Sequence, residues 1–291
     1  MKWALVTGAS SGMGKEYARQ LAERGYNIVV VSNDDEGNRC VAESLERDFC
    51  VKAVPIYTDL AVKDGAQRLY QEVRDRGYEV EILVSNAGML LFSQLERTAV
   101  ERIEQIIALH CTAPTLLCRL FAEDMRRRGE GRILIVSSIT AWTPYPTISH
   151  YAATKAYLKS FAQSLWYELR GSGGSVTTVF PSAVDTPFYS LEDKMRRRLL
   201  RWGVMMSAES VVQKALNAMF RSRRRCLPGV VTKLEAAICA ILQTNNLFLF
   251  AYKITFQHPS SGRMMTLRAT VPEFMLPVMK LPVVRKILDR V

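Results

Sequence analysis

Short apolar runs and longer amphipathic stretches alternate along most of the chain. The apolar runs have the length and the β-branched content of strands that are buried on both faces. The stretches between them carry apolar residues at helical spacing. The predicted strands cover residues 2–6, 27–31, 51–57, 81–85, 131–137, 175–180 and 226–231, and the main predicted helices cover residues 15–24, 36–50, 100–128, 151–169, 189–202 and 207–224. This alternation predicts an α/β fold, a doubly wound parallel sheet with helices on both faces.

The periodic pattern ends near residue 231, so we expect a first domain at 1–231 and a C-terminal extension at 232–291. The extension contains an apolar helix at 234–242, a strongly hydrophobic segment at 247–252, and a tail rich in Met, Leu, Pro and Lys at 274–291. Polar residues separate the first two segments, so the extension lacks the roughly twenty continuous apolar residues that a membrane-spanning helix needs. We expect it to pack on its own domain, on a partner subunit or on a membrane surface, or to line an apolar substrate tunnel.

Composition is that of a globular protein with a strongly basic region. The 291 residues are 48% hydrophobic and 23% charged, which is enough apolar material for a core covered on both faces. The net charge of +11 is concentrated late in the chain, at 196–201 and 221–225. These arginines form a solvated helix face, or they contact an anionic membrane surface or an acidic substrate carrier. No nucleic-acid-binding module accompanies them, so we expect no nucleic-acid partner.

The cysteine pattern indicates reduced thiols. The six cysteines are scattered, without a C-x-x-C pair or a metal-like cluster of Cys and His, so we expect no bound metal. The first predicted strand begins by Trp3, which leaves no room before it for a secretory signal peptide. We therefore expect a cytoplasmic protein, with peripheral contact to a membrane as an alternative.

A serine, a tyrosine and a lysine have the spacing that proton transfer requires. Tyr151 and Lys155 are four residues apart, so they lie one turn apart on one face of a helix, where the ammonium favours the phenolate. Lowering a tyrosine pKa from about 10 to about 7–8 requires about 3–4 kcal/mol, which Lys155 and other nearby positive charge can supply. Ser138 follows the apolar run 133–136 and would hold a substrate oxygen beside the phenol.

A glycine-rich loop joins the first predicted strand to the first predicted helix. Residues 7–14 read Thr-Gly-Ala-Ser-Ser-Gly-Met-Gly, with the spacing Gly-x-x-x-Gly-x-Gly. Glycines at this spacing let the backbone approach a pyrophosphate, and the N-terminus of the following helix adds free N–H groups and the positive end of a dipole. The loop therefore predicts a dinucleotide site.

Four motifs in order make the chain resemble the short-chain dehydrogenase/reductase family. They are the loop at 7–14, the sequence Asn86-Ala87-Gly88, Ser138 thirteen positions before the tyrosine, and the pair Tyr151 and Lys155. The resemblance covers about residues 1–230 and implies a Rossmann-type fold, a substrate lid at about 188–205, and a homodimer or homotetramer. It also implies an NAD(P)-dependent oxidoreductase that interconverts a secondary alcohol and a ketone.

The resemblance assigns roles to four candidate catalytic residues. Tyr151 is the acid or base, Ser138 orients the substrate oxygen, and Lys155 lowers the Tyr151 pKa and binds the nicotinamide ribose. His110 stands where most relatives have an asparagine that links this lysine to a proton-relay water. The histidine would hold the same water, gate activity by becoming charged near neutral pH, or pack in a helix–sheet interface.

The resemblance also implies the residues that bind the cofactor. They are Thr7, Gly8, Ser10, Ser11, Gly12, Met13, Gly14, Asn33, Asp34, Asp59, Leu60, Asn86, Ala87, Gly88, Tyr151, Lys155, Pro181, Val184 and Thr186. Asp59 would hydrogen-bond the adenine amino group, and capping of a helix that begins at Val62 is the alternative for this side chain. Ser182 departs from the pattern, because relatives usually have glycine there.

The choice between NAD and NADP depends on the residues after the second strand. In the family, an acidic residue there accepts hydrogen bonds from the adenosine ribose, whereas a basic residue binds a 2′-phosphate. Asn33 is neutral, but Asp34 and Asp35 follow it and would repel a phosphate. We therefore favour NAD, with NADP as the alternative.

Several functions are compatible with these motifs. The Leu, Met and Phe side chains of the predicted lid and tail favour a small, apolar substrate, such as a 3-oxoacyl chain or a steroid. A non-catalytic dinucleotide-binding sensor or scaffold protein is an alternative, based on His110 and Ser182. An epimerase or dehydratase of the extended branch is disfavoured by the glycine spacing.

Overall fold

The structure of the protein, a computed structural model, describes most of the chain up to residue 236 and two short strands beyond it. The described ranges are 2–90, 93–142, 147–186, 193–201, 205–236, 253–257 and 264–268. The chain divides into two units, Met1–Ala237 and Ile238–Val291, so the first unit ends a short distance beyond the predicted boundary at 231. The hydrophobic segment predicted at 247–252 and the tail at 274–291 lie outside the described residues.

Seven parallel strands form the central sheet of the first unit. In chain order they are β1 (Trp3–Thr7), β2 (Asn27–Ser32), β3 (Ala53–Tyr57), β4 (Val80–Ser85), β5 (Gly131–Val136), β6 (Gly174–Val179) and β9 (Arg225–Cys226). Two further strands, β7 (Ala183–Asp185) and β8 (Met205–Ser207), form a separate parallel pair. The order across the central sheet is β3-β2-β1-β4-β5-β6-β9, and each neighbouring pair is parallel. The predicted doubly wound parallel sheet is confirmed.

Helices cover both faces of this sheet. They are α1 (Gly12–Ala22), α2 (Asp35–Asp48), α3 (Gly65–Asp75), α4 (Val100–Ile107), α5 (Ala113–Arg128), α6 (Ser149–Glu168), α7 (Asp193–Arg201) and α8 (Ala208–Phe220). One hydrophobic cluster joins the sheet to α1, α2 and α8 through residues such as Leu21 and Leu216. A second cluster joins the other face to α3, α5 and α6 through Leu69, Leu117 and Leu165.

The side chains of β1 show why an unbroken apolar run is required here. Ala4 and Val6 belong to the first cluster, whereas Trp3 and Leu5 belong to the second, and all four are buried. Successive side chains of a strand point to opposite faces, so a strand covered on both faces needs apolar residues at every position.

The strand order reverses at the centre of the sheet, where β1 lies between β2 and β4. Helices that leave the carboxyl ends of such neighbouring strands pass to opposite faces, and the divergence opens a crevice at that edge. The glycine loop after β1 and the sequence Asn86-Ala87-Gly88 after β4 therefore meet at one place.

The helix predicted at 100–128 contains a π-helical turn, Ala108–Thr112, between α4 and α5. By length and composition alone, the whole helix from Val100 to Arg128 could span a membrane, but its most apolar window is 44% buried inside the fold. Leu117, Phe121 and Met125 pack in the second cluster against the sheet. A helix packed in the core of an α/β protein has the same apolar composition. The packing against the sheet therefore explains why this helix is apolar.

Two predicted element boundaries are wrong. The last strand is limited to β9, and residues 230–236 are helical instead of continuing the predicted strand 226–231. Pro228 has no N–H to donate to a neighbouring strand, and Gly229 has a φ of +94°, so the chain turns there. The helix after β3 begins at Gly65, with Asp64 as its N-cap, instead of at Val62.

In the second unit, two strands are described. β10 (Lys253–Gln257) and β11 (Met264–Arg268) form an antiparallel pair, with Thr255 opposite Thr266. The sequence does not single out either strand.

Candidate active site

A cleft of about 440 Å³ opens at the carboxyl edge of the sheet, at the reversal of strand order. It is lined by the glycine loop, by the residues after β2 to β6, and by the first turns of α6. All of the predicted site residues line this cleft except Thr7, Asp34 and His110, which lie behind its wall or beside it. One site therefore contains residues from position 8 to position 186 of the chain.

The glycine loop is shaped for close backbone approach. Gly8 has a φ of +67°, and a Cβ at Gly14 would lie 1.9 Å from the Gly8 carbonyl oxygen, so a side chain at Gly14 cannot be accommodated. The N-cap of α1, Ser11, makes no side-chain hydrogen bond to the helix, and the first turn of α1 contains no acidic residue. The backbone N–H groups of this turn are thus suited to an anion such as a pyrophosphate.

Thr7 and Asn86 hold the ends of β1 and β4 together. The Thr7 hydroxyl accepts the N–H groups of Asn86 and Ala87, each at 3.0 Å, and donates to the Val84 carbonyl at 3.3 Å. The Asn86 amide donates to the Thr7 carbonyl at 3.0 Å. Thr7 is buried and does not line the cleft, so it supports the cleft from behind, and Asn86 both supports and lines it.

Ser138, Tyr151 and Lys155 meet in the cleft although they belong to different elements. Ser138 follows β5, and its Oγ accepts the Thr140 N–H at 3.2 Å. Tyr151 and Lys155 lie on α6, and the Lys155 Nζ is 5.4 Å from the centroid of the Tyr151 ring. This places the ammonium beside the phenol, as the four-residue spacing predicts.

Lys155 is buried and is held by the end of β5. Its Nζ donates to the Val136 carbonyl at 3.0 Å, and the Ser137 hydroxyl donates to the Lys155 carbonyl at 2.8 Å. Burial lowers the pKa of the Lys155 ammonium from 10.5 to about 8. The side chain therefore remains mostly cationic at neutral pH.

His110 lies in the π-helical turn, 1% exposed, against the ring of Tyr151, with the ring centroids 5.7 Å apart and the planes at 75°. Its Nε2 accepts the Met89 N–H at 2.9 Å, and its Nδ1 is 2.9 Å from the Thr154 hydroxyl. Burial, followed by the nearby charge of Lys155, holds the pKa of His110 well below its ordinary value. The direction of this shift favours the neutral ring over the alternative in which His110 becomes charged near neutral pH and gates activity.

At the end of the cleft formed by the residues after β2 and β3, Asn33, Asp59 and Leu60 line the wall. The Asp59 carboxylate accepts the Ala61 N–H at 2.8 Å, and α3 begins too late for Asp59 to cap it, so the capping alternative is wrong. Asp34 is instead the N-cap of α2, and its Oδ1 accepts the Gly37 N–H at 2.9 Å.

The segment after β6 completes the cleft. Pro181, Ser182, Val184 and Thr186 all line it, and β7 holds Val184 by pairing with β8. The Pro181 carbonyl accepts the Ile139 N–H at 3.0 Å, which joins this segment to the chain that follows Ser138. The serine at 182, where relatives usually have glycine, leaves this wall of the cleft in place.

Further residues line the cleft that the sequence analysis does not single out. They are Ser32, Thr58, Ala61, Met89, Arg102, Gln105, Leu109, Val136 and Ser137. Most of them adjoin a predicted site residue at a strand end. Arg102, Gln105 and Leu109 follow the spacing of a single helix face, which is the signal that could have found them. Among the described residues, no group of three His, Cys, Asp or Glu side chains could hold a metal ion.

Comparison with curated proteins finds relatives over about two thirds to three quarters of the chain. Mouse 17-beta-hydroxysteroid dehydrogenase type 3 is 32% identical over 203 residues, which are 67% of this chain and 65% of that protein. Rat very-long-chain 3-oxoacyl-CoA reductase is 31% identical over 228 residues, 75% of this chain and 68% of the relative. Human inactive hydroxysteroid dehydrogenase-like protein 1 is 32% identical over 194 residues, 64% and 56% of the respective chains. The matched part of the chain thus spans about two thirds of these relatives, or less.

Solved structures and a family model agree with this result. A short-chain dehydrogenase from Sphingobium yanoikuyae, in complex with NADPH, superimposes with a TM-score of 0.72 at 27% identity and covers 86% of this chain and 98% of its own. The family model described as short chain dehydrogenase matches residues 2–197. The predicted resemblance is confirmed, and the chain belongs to the short-chain dehydrogenase/reductase family.

Proposed function

We propose that the protein is an NAD(P)-dependent oxidoreductase that interconverts a secondary alcohol and a ketone. The observation that carries this proposal is the convergence of Ser138, Tyr151 and Lys155 beside the glycine loop in one cleft. A binding protein needs the loop but has no use for a phenol with a buried ammonium 5.4 Å from its ring centroid. Family membership supports the same reaction class.

Each side chain has a distinct task in this reaction. When bound, a nicotinamide dinucleotide supplies the hydride acceptor for oxidation or the hydride donor for reduction. Tyr151 takes the hydroxyl proton of an alcohol, or donates a proton to a ketone oxygen, and the Ser138 hydroxyl holds that oxygen. The Lys155 ammonium stabilises the phenolate form of Tyr151, because a nearby positive charge favours the anion. The narrow approach at Gly8 and Gly14, and the first turn of α1, fit the pyrophosphate of the cofactor.

NAD is the favoured cofactor and NADP the alternative. Asn33, which lines the cleft, is neutral, and Asp34 brings a carboxylate to the start of α2 beside it. Asp35 forms an ion pair with Arg39 at 2.6 Å, so this arginine is engaged within its own helix. The local charge therefore disfavours a 2′-phosphate.

The substrate is apolar, of the steroid or 3-oxoacyl class. Met89, Leu109 and Val184 line the cleft, and they offer apolar contacts beside the polar catalytic groups. The curated relatives include a protein named for hydroxysteroids and a protein named for very-long-chain 3-oxoacyl-CoA. Of the predicted lid at 188–205, helix α7 is the main described part, and Arg197 and Arg201 are exposed on it.

The function is tested by turnover of a panel of secondary alcohols and ketones, including steroids and 3-oxoacyl thioesters, with NAD(H) and NADP(H). Nicotinamide absorbance reports the reaction, and the Tyr151→Phe protein is the control for background. We expect turnover of at least one apolar pair. Cofactor binding without any turnover above the control would contradict the proposal.

The second candidate function is a non-catalytic sensor or scaffold protein, which predicts cofactor binding without turnover. One observation favours it: a relative of similar identity is named an inactive hydroxysteroid dehydrogenase-like protein. Against it, Ser138, Tyr151 and Lys155 are all present and placed in one cleft in this chain.

Assembly and location are further parts of the proposal. A homodimer or homotetramer is supported by apolar side chains left on the surface of the α4 and α6 helices, Ile107 at 46% and Tyr157 at 42% exposure. A cytoplasmic protein with peripheral membrane contact is supported by the exposed arginines at 197, 201, 221 and 223.

A further inference from the structure

The hydrogen bonds of His110 determine which of its ring nitrogens carries the proton. The Met89 backbone N–H can only donate, so Nε2, at 2.9 Å, must be the unprotonated nitrogen. In the neutral ring the proton is then on Nδ1, which donates to the Thr154 hydroxyl at 2.9 Å. The Thr154 hydroxyl donates in turn to the Tyr151 carbonyl at 2.9 Å. The Met89 N–H, the His110 ring N–H and the Thr154 hydroxyl each have an acceptor only if His110 is the neutral Nδ1–H tautomer.

This chain of hydrogen bonds joins three parts of the active site that are distant in sequence. Met89 continues the segment Asn86-Ala87-Gly88 and lines the cleft. Thr154 is buried on α6, between Tyr151 and Lys155. A Cβ at Gly88 would approach the His110 Nε2 to 3.1 Å, so the glycine leaves room for the ring. The imidazole thus lies between the loop after β4 and the catalytic turn of α6.

Burial and the ammonium of Lys155 favour the neutral form of the imidazole. Lys155 and Tyr151 face it from α6, and Cys111 is its neighbour in the π-helical turn. The loop after β4 contributes a backbone N–H, and neither hydrogen-bond partner of the ring is a carboxylate. A proton added to Nε2 would face the Met89 N–H, with no acceptor there.

We propose that His110 is a positioning residue that clamps the loop at Met89 to the catalytic turn of α6 through Thr154, and that it neither accepts nor donates a proton in the reaction. The clamp fixes the position of the Tyr151 backbone relative to the loop at Met89. The imidazole ring also limits the movement of the Tyr151 ring by edge-to-face contact. The role in turnover rests on the proposed oxidoreductase function. The clamp itself does not, and it can be tested without substrate.

The tautomer is tested first, on the wild-type protein by NMR with ¹⁵N-labelled histidine. The chain contains three histidines, so the signals of His110 can be assigned by their loss in His110→Gln. We expect the neutral Nδ1–H form to persist between about pH 5 and pH 8, where an ordinary histidine titrates. An Nε2–H tautomer, or a midpoint within that range, would overturn the clamp even if the enzyme proved inactive on every substrate tried.

The contribution to turnover is tested by removing the clamp at its Thr154 end. Thr154→Val deletes the acceptor for Nδ1–H, and His110→Phe keeps a planar ring but removes both the acceptor for the Met89 N–H and the donor to Thr154. We expect each variant to lower kcat about 10–100-fold, with cofactor Kd nearly unchanged, because a displaced catalytic group loses orientation. The double variant should be little worse than either single variant, since both remove the same link. Thr154→Ser restores the hydroxyl and should restore kcat.

A matched control is available on the same pair of helices. The Thr115 hydroxyl, on α5, is 2.8 Å from the Tyr157 hydroxyl, on α6, at the surface. Thr115→Val removes a hydroxyl between the helices away from Tyr151, and kcat should stay within about twofold of the wild type. If Thr154→Val also keeps kcat within about twofold of the wild type, the clamp does not contribute to turnover and the proposal is wrong. It is also wrong if one limb of the pH–rate profile disappears in His110→Gln, because His110 would then titrate during turnover. Near-normal turnover in Tyr151→Phe would instead refute the proposed chemistry and leave the tautomer result standing.

Discussion

At the scale of single residues, Tyr151 is expected to carry the proton transfer. Tyr151→Phe removes the hydroxyl and keeps the ring against His110, so kcat should fall by about 10²–10⁴, the usual contribution of a positioned acid or base. Cofactor affinity should change little. Tyr157→Phe, on the exposed side of the same helix, is the matched control and should retain turnover. Steady-state kinetics and fluorescence titration of the cofactor measure the two quantities, and near-normal kcat in Tyr151→Phe would exclude the mechanism.

Lys155 is expected to lower the free energy of unfolding, because its catalytic role requires a buried ammonium. Its pKa is about 8 in the folded protein and 10.5 ordinarily, so the unfolded chain binds more protons between these values and stability rises with pH across that window. Below about pH 8 the buried ammonium costs about 3 kcal/mol. Lys155→Met should therefore abolish turnover yet raise the free energy of unfolding at pH 7 by about 1–3 kcal/mol, since the loss of the bond to Val136 offsets part of the gain.

This gain should shrink as the pH rises from about 8 towards 10.5, because the wild-type lysine is then neutral in the folded state. Denaturant unfolding of both proteins at several pH values gives the comparison. Lys159→Met, one turn further along α6, removes a lysine that lies 3.8 Å over the Trp142 ring and should show no such gain. A stability difference that is constant with pH would mean that the charge of Lys155 is not its cause.

At the scale of elements, the start of α2 combines helix capping with cofactor choice. A Cβ at Gly37 would lie 2.9 Å from the Ser10 Cβ, so the first turn of α2 sits directly against the glycine loop. Asp34 caps this turn and brings its charge to the same place. Capping and charge can be separated, because asparagine caps a helix as well as aspartate does.

Asp34→Asn should therefore leave stability unchanged and improve the kcat/KM for NADP relative to that for NAD by roughly 3–10-fold, since one repulsive charge is removed. Asp34→Ala should cost about 1 kcal/mol in the free energy of unfolding, from loss of the cap. Thermal unfolding and kinetics with both cofactors measure the effects. A strong preference of the wild type for NADP would show that the charge at Asp34 does not govern the choice.

At the scale of the whole molecule, the basic surface predicts salt-sensitive binding to anionic lipid. Arg197 and Arg201 are exposed on α7, and each basic residue near an anionic bilayer contributes up to about 1 kcal/mol. The full-length protein should sediment with anionic vesicles at low salt but not at high salt, and not with neutral vesicles, because salt screens the attraction. The double variant Arg197→Glu, Arg201→Glu should weaken binding. The control is the double variant Lys63→Glu, Arg68→Glu, which changes two exposed basic residues at the start of α3 and should have a smaller effect. Indifference to anionic vesicles at low salt would exclude the membrane proposal and leave the arginines as a solvated face.

Much of the fold and of the catalytic set could be predicted from the sequence because local patterns carry them. Strands buried on both faces need unbroken apolar runs, and the alternation of such runs with amphipathic helices specifies the parallel sheet. Gly8 and Gly14 are required by backbone contacts within one loop, and Tyr151 and Lys155 lie on one face because four residues make about one helical turn.

Only the tertiary structure decided what the remaining site residues do. Thr7 and Asn86 bind each other across two strands, and His110 contacts Met89 and Thr154, which lie 21 and 44 residues away in the chain. Residue type does not predict such partners, because a buried polar group can be satisfied by any donor or acceptor that the fold brings near. The sequence therefore determined that a histidine occupies position 110. The packing of the π-helical turn against α6 decided that both of its ring nitrogens bind protein groups instead of titrating.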